Sequence, residues 1–148
     1  MRPRDPAGCM NFIEVAAGLV FRQRKLLITQ RHAQTHLGGL WEFPGGKREP
    51  GETFEQCLIR ELREELAIEI TLGPLIESLL HTYPEKTVRL KFYRCEWLRG
   101  EPQMLGCAAL EWIHANQLSA YAFPAADARL LARLQTDASL WEPLSDTT

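Results

Sequence analysis

The stretch from Gly46 to Ile68 constrains the fold of this chain more than any other. It begins as a glycine-containing turn and continues with helical periodicity, since apolar residues recur three or four positions apart. These apolar residues are Cys57, Leu58, Leu62 and Leu66. Thr53 is the predicted N-cap, and Gln56, three residues later, completes a capping box. The sequence therefore predicts an amphipathic helix that buries one face.

Three glutamates crowd another face of this predicted helix. Glu61, Glu64 and Glu65 stand at positions i, i+3 and i+4, so their side chains project from neighbouring positions. Like charges placed in this way repel by roughly 0.2–0.5 kcal/mol per pair in an isolated helix. A cation between them would turn that repulsion into a binding site. The alternative is a solvated helix whose glutamates pair with Arg60 and Arg63.

The residues that precede the helix make this pattern specific. Glu52 lies just before the helix, and the turn begins with paired glycines. Together they resemble the signature of the Nudix hydrolase family: a glycine, a glutamate, then Arg-Glu-U-x-Glu-Glu-x-Gly-U, where U is bulky and aliphatic. The matching positions are Gly46, Glu52, Arg60, Glu61, Leu62, Glu64, Glu65 and Ile68. Ala67 stands at the last glycine of the signature, where a left-handed helix end would strain an alanine.

This resemblance implies an α/β fold, the Nudix α/β/α sandwich with a mixed β-sheet. It also implies that the helix binds Mg²⁺, or Mn²⁺, for hydrolysis of a nucleoside diphosphate linked to another moiety. The residues implied as catalytic and metal-binding are Glu61, Glu64 and Glu65, with the carbonyl oxygen of Gly45 as a further ligand. Glu61 is also the candidate to accept a proton from the attacking water. Oxygen ligands of this kind suit Mg²⁺, which proteins commonly share with substrate phosphates.

The resemblance assigns supporting roles to Gly46, Glu52 and Arg60. Arg60 is expected to pair with Glu52 and so to orient the turn against the helix. Neither residue would itself hold the metal ion.

Two further segments, Leu27–Arg31 and Leu40–Lys47, are similar to the MutT-type branch of the family. The similarity covers the chain from Phe12 to Leu134. Members of that branch convert a nucleoside triphosphate to the monophosphate and pyrophosphate, which removes oxidised nucleotides such as 8-oxo-dGTP and serves DNA repair. The substrate-binding residues that this resemblance implies are Arg31, Phe43, Lys47 and Asp127.

Each of these four residues also has an ordinary structural interpretation. Arg31 would be a surface ion-pair partner, Phe43 a core side chain beside a turn, and Lys47 a solvated loop lysine. Asp127 would lie in the first turn of the last helix and interact with its dipole. Trp41, next to the signature, is expected near the pocket.

Two departures from the MutT pattern bear on the substrate and the metal. Asp127 stands where MutT carries an asparagine. An ionised aspartate only accepts hydrogen bonds, so it favours base edges with N–H donors: cytosine, adenine, or N1–H and N2–H₂ of guanine. The loop Met104–Cys107 has no carboxylate where MutT supplies a further metal-ligating glutamate, although Glu101 and Glu111 flank it.

Three functions follow from these patterns. The first is a MutT-like nucleoside triphosphate pyrophosphohydrolase. The second is a CTP or dCTP pyrophosphohydrolase, because related enzymes with that activity share the aspartate base reader and the run Arg60–Leu66. The third is a catalytically inactive Nudix-fold nucleotide-binding module, which the presence of all four signature glutamates disfavours.

Composition limits the partners and the location. The chain has 17 basic and 19 acidic residues among 148, so net charge does not drive it toward nucleic acid or an anionic membrane. No apolar run approaches the ~20 residues of a membrane span. We therefore predict that the chain binds neither nucleic acid stably nor a membrane. The resemblance implies a nucleoside triphosphate as its partner, and we expect a cytoplasmic monomer or homodimer. The four cysteines lack Cys-x-x-Cys spacing and are expected to be reduced, buried thiols.

The length suits one domain. We predict a flexible N-terminal arm over residues 1–10, a Nudix hydrolase domain over residues 11–136 and a C-terminal tail over residues 137–148. The predicted strands cover Asn11–Arg22, Lys25–Arg31, Glu69–Tyr83, Thr87–Leu98 and Ala109–His114. A second helix is predicted over Pro124–Leu134, with the proline at its first position.

Overall fold

The computed structural model describes residues 11–144. The predicted arm over residues 1–10 and the end of the predicted tail, residues 145–148, lie outside the described residues. The strands are β1 (Asn11–Arg22), β2 (Lys25–Gln30), β3 (Trp41–Glu42), β4 (Gly45–Lys47), β5 (Glu69–Tyr83), β6 (Lys86–Arg99) and β7 (Ala109–Ile113). The α-helices are α1 (Phe54–Leu66) and α2 (Ala128–Thr136), and 3₁₀ helices cover Ala115–Ala120, Ala125–Asp127 and Ala138–Trp141.

The strands form one mixed sheet. Its main order is β3-β2-β1-β6-β5, with β4 paired to β1 and β7 paired to β2. The central strands β1 and β6 run parallel, from the pair Asn11 and Lys86 to the pair Phe21 and Glu96, and the other pairs are antiparallel. The predicted mixed sheet is confirmed, and all five predicted strands are present. The short strands β3 and β4 were not predicted.

The two faces of this sheet bury two separate cores. Side chains of a strand alternate between its faces, and β1 divides them cleanly. Ala16 and Val20 join the core under α1, whereas Ala17, Leu19 and Phe21 join the core under α2. Each helix therefore covers one face, which confirms the predicted α/β/α arrangement.

Helix α2 begins later than predicted. Pro124 is extended, with φ −60° and ψ 149°, and precedes the 3₁₀ turn Ala125–Asp127. The prediction that Pro124 occupies the first helical position was wrong, because Asp127, at φ −89° and ψ 2°, interrupts the α-helical geometry. Helix α2 starts at Ala128 and ends at Thr136.

Packing continues into the segment that was predicted as a tail. Leu140 and Trp141 are buried in the core under α2. The buried guanidinium of Arg94 donates to the carbonyl oxygens of Leu140 at 3.0 Å and Glu142 at 2.5 Å. The domain boundaries stay predictions, but this part of the chain belongs to the packed structure.

The cysteines that the structure describes agree with their prediction. Cys57, Cys95 and Cys107 are buried free thiols, and burial raises the pKa of each. Cys9 lies outside the described residues.

Within residues 11–144, no helix combines the length and the apolar character needed to cross a membrane.

Candidate active site

Helix α1 presents the carboxylates, and local sequence fixes its ends. The Thr53 hydroxyl accepts a hydrogen bond from the Gln56 backbone N–H at 3.0 Å, and the Gln56 side chain accepts one from the Thr53 N–H at 2.9 Å. This is the predicted capping box. At the other end Ala67 adopts the left-handed conformation, with φ 59° and ψ 35°. The predicted apolar face is buried against the sheet, so the glutamates are left on the remaining faces.

Arg60 connects the turn to the helix. Its guanidinium donates to both carboxylate oxygens of Glu52, at 3.0 and 2.7 Å, and to the carbonyl oxygen of Lys47 at 3.0 Å. The expected Arg60–Glu52 pair is thus present. Hydrogen bonding from Arg60 lowers the pKa of Glu52 to about 2. A fixed ionised pair of this kind holds the turn and the helix in one relative orientation.

The same guanidinium reaches the predicted metal ligands. Its Nη1 donates at 3.1 Å to Glu61 Oε2 and at 3.1 Å to Glu64 Oε1. The Glu61 side chain is 15% exposed and the Glu64 side chain 56%. Burial raises the pKa of Glu61, the charge of Arg60 opposes that rise, and the negative charges of Glu65 and Glu64 add to it. Glu61 is therefore the less exposed of the two, and its carboxylate is more basic than that of an ordinary glutamate.

Gly46 makes room for Glu61. A β-carbon at position 46 would overlap the Glu61 carboxyl group, so any larger residue at this position would displace that carboxyl group from its place beside β4. The absence of a side chain at Gly46 therefore determines where the Glu61 carboxylate lies.

A first cavity, the carboxylate cavity, opens between α1 and β4 and measures about 290 Å³. Its lining consists of Thr29, Arg31, Glu42, Pro44, Gly45, Gly46, Lys47, Glu61, Glu65, Leu66, Gly106 and Cys107. The structure therefore brings Glu61, Glu65 and Gly45 together at this cavity. Glu64 is not among the described residues that line it. In the described part of the chain, no group of three or more histidine, cysteine, aspartate or glutamate side chains is arranged so that it could hold a metal ion.

A second cavity, the apolar cavity, measures about 210 Å³ and lies on the α2 side of the sheet, where it shares Ala17, Phe43 and Phe92 with the core. The apolar and aromatic residues of its lining are Ile13, Val15, Ala17, Leu37, Phe43, Tyr83, Val88, Leu90, Phe92, Pro124 and Ala126. The rest of its lining consists of the glycines Gly45 and Gly46 and the polar or charged residues Arg31, His36, Glu42, Lys47, Lys86 and Asp127. Apolar walls with few polar groups are typical of small-molecule sites.

The two cavities meet along one wall. Both are lined by Arg31, Glu42 and the three residues of β4, Gly45–Lys47. Strand β4 is placed there by antiparallel pairing with β1, in which Val15 lies opposite Lys47 and Ala17 opposite Gly45. Strand β4 therefore borders both cavities.

Phe43 and Asp127, two predicted substrate-binding residues, line the apolar cavity. Phe43 is also a core residue, as its ordinary interpretation holds: its ring stacks on Phe123, with centroids 5.0 Å apart. Asp127 is buried, and among residues 11–144 its carboxylate has no hydrogen-bonding partner. Burial first, and the nearby charge of Glu42 second, raise the pKa of Asp127 to about 7.

Arg31 and Lys47, the other two predicted substrate-binding residues, lie on the shared wall. Arg31 forms the ion pair that its ordinary interpretation predicts, with Nη1 3.1 Å from Glu42 Oε1, and its Nε donates to the carbonyl oxygen of His36 at 2.7 Å. Lys47 is exposed. Both cations thus stand where the two cavities join.

Sequence reasoning missed Glu42 and Tyr83. Glu42 lines both cavities, and burial raises its pKa against the opposing effect of Arg31. Tyr83 ends β5 and lines the apolar cavity. Both residues occur in segments that resemble the family, so their position was visible, but their direction depends on the strand pairing.

Trp41 departs from its prediction. Trp41 is not one of the described residues that line the two cavities. Its ring instead meets Tyr121 edge-on, with centroids 5.0 Å apart. Strand alternation explains the difference, because Glu42 and Trp41 are neighbours in β3 and point to opposite sides.

The loop after β6 supplies no acidic side chain to either cavity within residues 11–144. Glu101 is 76% exposed and pairs with Arg22 at 3.4 Å. Glu111 lies in β7, opposite Ile28. In the described part of the chain, neither glutamate that flanks this loop therefore lines a cavity.

Comparison with known proteins agrees with this arrangement. A family model described as NUDIX domain matches residues 16–133. The chain is 39% identical over 122 residues to the CTP pyrophosphohydrolase of Escherichia coli (strain K12), and this alignment covers 82% of this chain and 90% of that protein. It is 35% identical over 127 residues to the 8-oxo-dGTP diphosphatase of the same organism, and this alignment covers 85% of this chain and 98% of that protein. The solution structure of the E. coli ORF135 protein superposes with a TM-score of 0.71 at 38% identity, over 86% of this chain and 91% of that one.

Proposed function

Because the chain belongs to the NUDIX domain family, we propose that it hydrolyses a nucleoside triphosphate to the monophosphate and pyrophosphate, with oxidised nucleotides such as 8-oxo-dGTP as its substrates. It is an enzyme that acts on phosphoanhydride bonds. The 8-oxo-dGTP diphosphatase of E. coli, aligned over 98% of its own length, supports this choice of substrate.

The observation that carries the proposal is the junction of the two cavities. The base would enter the apolar cavity, whose walls can cover both faces of a ring, and the phosphates would extend over β4 into the carboxylate cavity. Arg31 and Lys47 stand at that junction. Their positive charges would bind the phosphate groups as these cross from one cavity to the other.

The donor set of the carboxylate cavity fits a hard divalent cation. Nudix hydrolases generally need a divalent metal, and carboxylate and carbonyl oxygens are the ligands that Mg²⁺ and Mn²⁺ prefer. In our proposal Glu61, Glu65 and the Gly45 carbonyl, which line the cavity, would hold it. Glu64, which Arg60 keeps beside Glu61, would be the further carboxylate ligand. When bound, the ion would neutralise negative charge that develops on the reacting phosphoryl group.

The remaining chemistry belongs to the chain itself. Glu61 would accept a proton from the attacking water, and its partial burial favours this because a more basic carboxylate is a better proton acceptor. Arg60 would hold the Glu61 and Glu64 carboxylates side by side through one nitrogen. Its double hydrogen bond to Glu52 anchors it in that position.

Asp127 would select the base. It is the buried carboxyl of the apolar cavity, and it lacks a partner among residues 11–144. When protonated, it can donate to a guanine O6; when ionised, it accepts from the amine of cytosine. A CTP or dCTP pyrophosphohydrolase is therefore the second candidate, and the 39% identity to the CTP pyrophosphohydrolase of E. coli supports it.

The experiment is to measure kcat/KM for 8-oxo-dGTP, dGTP, CTP and dCTP under one set of Mg²⁺ conditions. We expect a preference of at least tenfold, or ~1.4 kcal/mol, for the oxidised purine. A preference of that size for the pyrimidines would favour the second candidate instead.

The variant Glu61→Gln separates an enzyme from an inactive binding module. We expect it to lower kcat about 10²–10⁴-fold, the range for loss of a general base, with thermal unfolding unchanged. Glu69→Gln is the matched control, because Glu69 begins β5 and makes a surface pair with Arg63. Metal-dependent turnover that is equal in wild type and Glu61→Gln would overturn the catalytic assignment of α1.

A further inference from the structure

The loop between β6 and β7 is tied to the end of α1 by its backbone. The Gln103 N–H donates to the carbonyl oxygen of Leu66 at 2.9 Å, and the Leu105 N–H donates to that of Glu65 at 3.2 Å. These bonds satisfy carbonyl groups that the last turn of a helix leaves without intrahelical partners. The loop therefore has a fixed position relative to Glu65.

Gly106 is the residue of this loop that meets the Glu65 side chain. The space that a β-carbon at position 106 would occupy is filled by the Glu65 carboxylate, and Oε1 is the overlapping atom. Both residues line the carboxylate cavity. The contact therefore lies inside the candidate active site.

The backbone of Gly106 gives no other reason for glycine. The glycines of the described chain with positive φ are Gly39, Gly51 and Gly100, and Gly106 is not one of them. An alanine could adopt the conformation of Gly106 without backbone strain. Its β-carbon would instead displace the nearest atoms, which are the mobile end of the Glu65 side chain.

We propose that Gly106 is a positioning residue, whose missing side chain sets the direction of the Glu65 carboxylate within the carboxylate cavity. The inference rests on the proposed function, because it gives a purpose to the position of Glu65. It parallels the contact of Gly46 with Glu61 across the same cavity. The loop thus shapes the ligand set without contributing a carboxylate of its own.

The test is Mn²⁺ binding to the nucleotide-free protein, measured from the electron paramagnetic resonance signal of free Mn²⁺. We expect Gly106→Ala to weaken binding by about 10–100-fold, the usual effect of disturbing a group that orients a metal ligand. The control is Leu105→Ala, because the Leu105 side chain is 60% exposed and its backbone bond is retained. We expect this control to bind Mn²⁺ as the wild type does.

A double-mutant cycle with Glu65→Gln shows whether Gly106 acts through Glu65. We expect Gly106→Ala to weaken Mn²⁺ binding no further in the Glu65→Gln background. Unchanged binding in Gly106→Ala, an additive loss in the double variant, or a Tm well below that of Leu105→Ala would each overturn the inference. Wild-type protein that neither binds Mn²⁺ nor turns over nucleotide would overturn the proposed function, and this inference with it.

Discussion

The carboxylate cavity and the apolar cavity are built in opposite ways. Two acidic groups of the first, Glu61 and Glu65, come from one helix and are joined by Glu42 of β3. The Arg60 guanidinium connects Glu61 to the turn that precedes the helix. The second collects residues from β1, β4, β5, β6 and the 3₁₀ turn before α2, which are far apart in the chain. The carboxylates of the first are thus arranged mainly by local structure, whereas the second depends on the assembled sheet.

The two regions shift the pKa of a buried or paired carboxyl group in opposite directions. In the turn before α1, hydrogen bonds and an ion pair with Arg60 keep Glu52 ionised, with a pKa of about 2. In the apolar cavity burial dominates, and it raises the pKa of Asp127 to about 7. Carboxyl groups of similar chemistry thus differ because one has a bidentate partner and the other has apolar neighbours.

Replacing Arg60 tests the local side of this comparison most strongly. Arg60→Lys keeps the charge but cannot reproduce the forked bonds to Glu52 together with those to Glu61 and Glu64. We expect kcat/KM to fall about 10–100-fold, as when a group that orients ligands is lost. Steady-state kinetics with saturating Mg²⁺ measures this effect.

Arg63→Lys is the matched control for that prediction. Arg63 lies in the last turn of the same helix and also forms a forked pair, with Glu69 at 2.8 and 2.9 Å, but its side chain is 58% exposed. We expect its activity to stay close to that of wild type, because exposed pairs contribute little. Equal losses in the two variants would show that any charge-preserving change on α1 is harmful and would remove the special role of Arg60.

The second prediction concerns the pH dependence of base selection. As pH rises through about 7, Asp127 ionises and can no longer donate to a guanine O6. We expect the ratio of kcat/KM for 8-oxo-dGTP to that for CTP to fall by up to about tenfold between roughly pH 6 and pH 8, since one hydrogen bond to a charged group is worth about 1.5 kcal/mol. In Asp127→Asn, which does not titrate, the ratio should stay constant.

Thermal unfolding gives an independent readout of the same group. The folded-state pKa of Asp127 lies above the ordinary value of 3.8, so the folded protein binds more protons than the unfolded chain between those two values. Stability must then fall as pH rises from about 4 to about 7. We expect the Tm of Asp127→Asn to rise relative to wild type over this window. A difference in Tm that does not change with pH would contradict the buried, unpartnered carboxyl.

The smallest expected effect lies at the end of α1. Ala67 holds a left-handed conformation, which costs an alanine roughly 1–2 kcal/mol and a glycine little. After the greater flexibility of unfolded glycine is subtracted, we expect Ala67→Gly to raise stability by about 1 kcal/mol, or roughly 2–4 °C in Tm. Activity should not change. A lower Tm would mean that packing of the Ala67 methyl group outweighs the backbone strain.

The local features of α1 could be predicted from the sequence, whereas the features that depend on distant segments could not. The capping box of α1, its buried apolar face and the Arg60–Glu52 pair were all predictable, because they join residues within a few turns of one another. The predicted helix start at Pro124 was wrong, because a 3₁₀ turn places Asp127 before α2. Leu140 and Trp141 stood out in the sequence as packing residues of the predicted tail, but their place in the core depends on contacts with distant residues such as the buried Arg94 of β6.

By itself, the sequence determined the five longer strands and the carboxylate helix, since periodicity and capping are properties of neighbouring residues. The mixed sheet was implied by the family resemblance of the signature. Only the tertiary structure decided that Glu42 faces both cavities, that Gly106 meets Glu65 and that the pKa of Asp127 is raised. The physical reason is that burial and close contact arise from segments distant in sequence. A local sequence pattern does not show which side chains will lose contact with water when the sheet assembles.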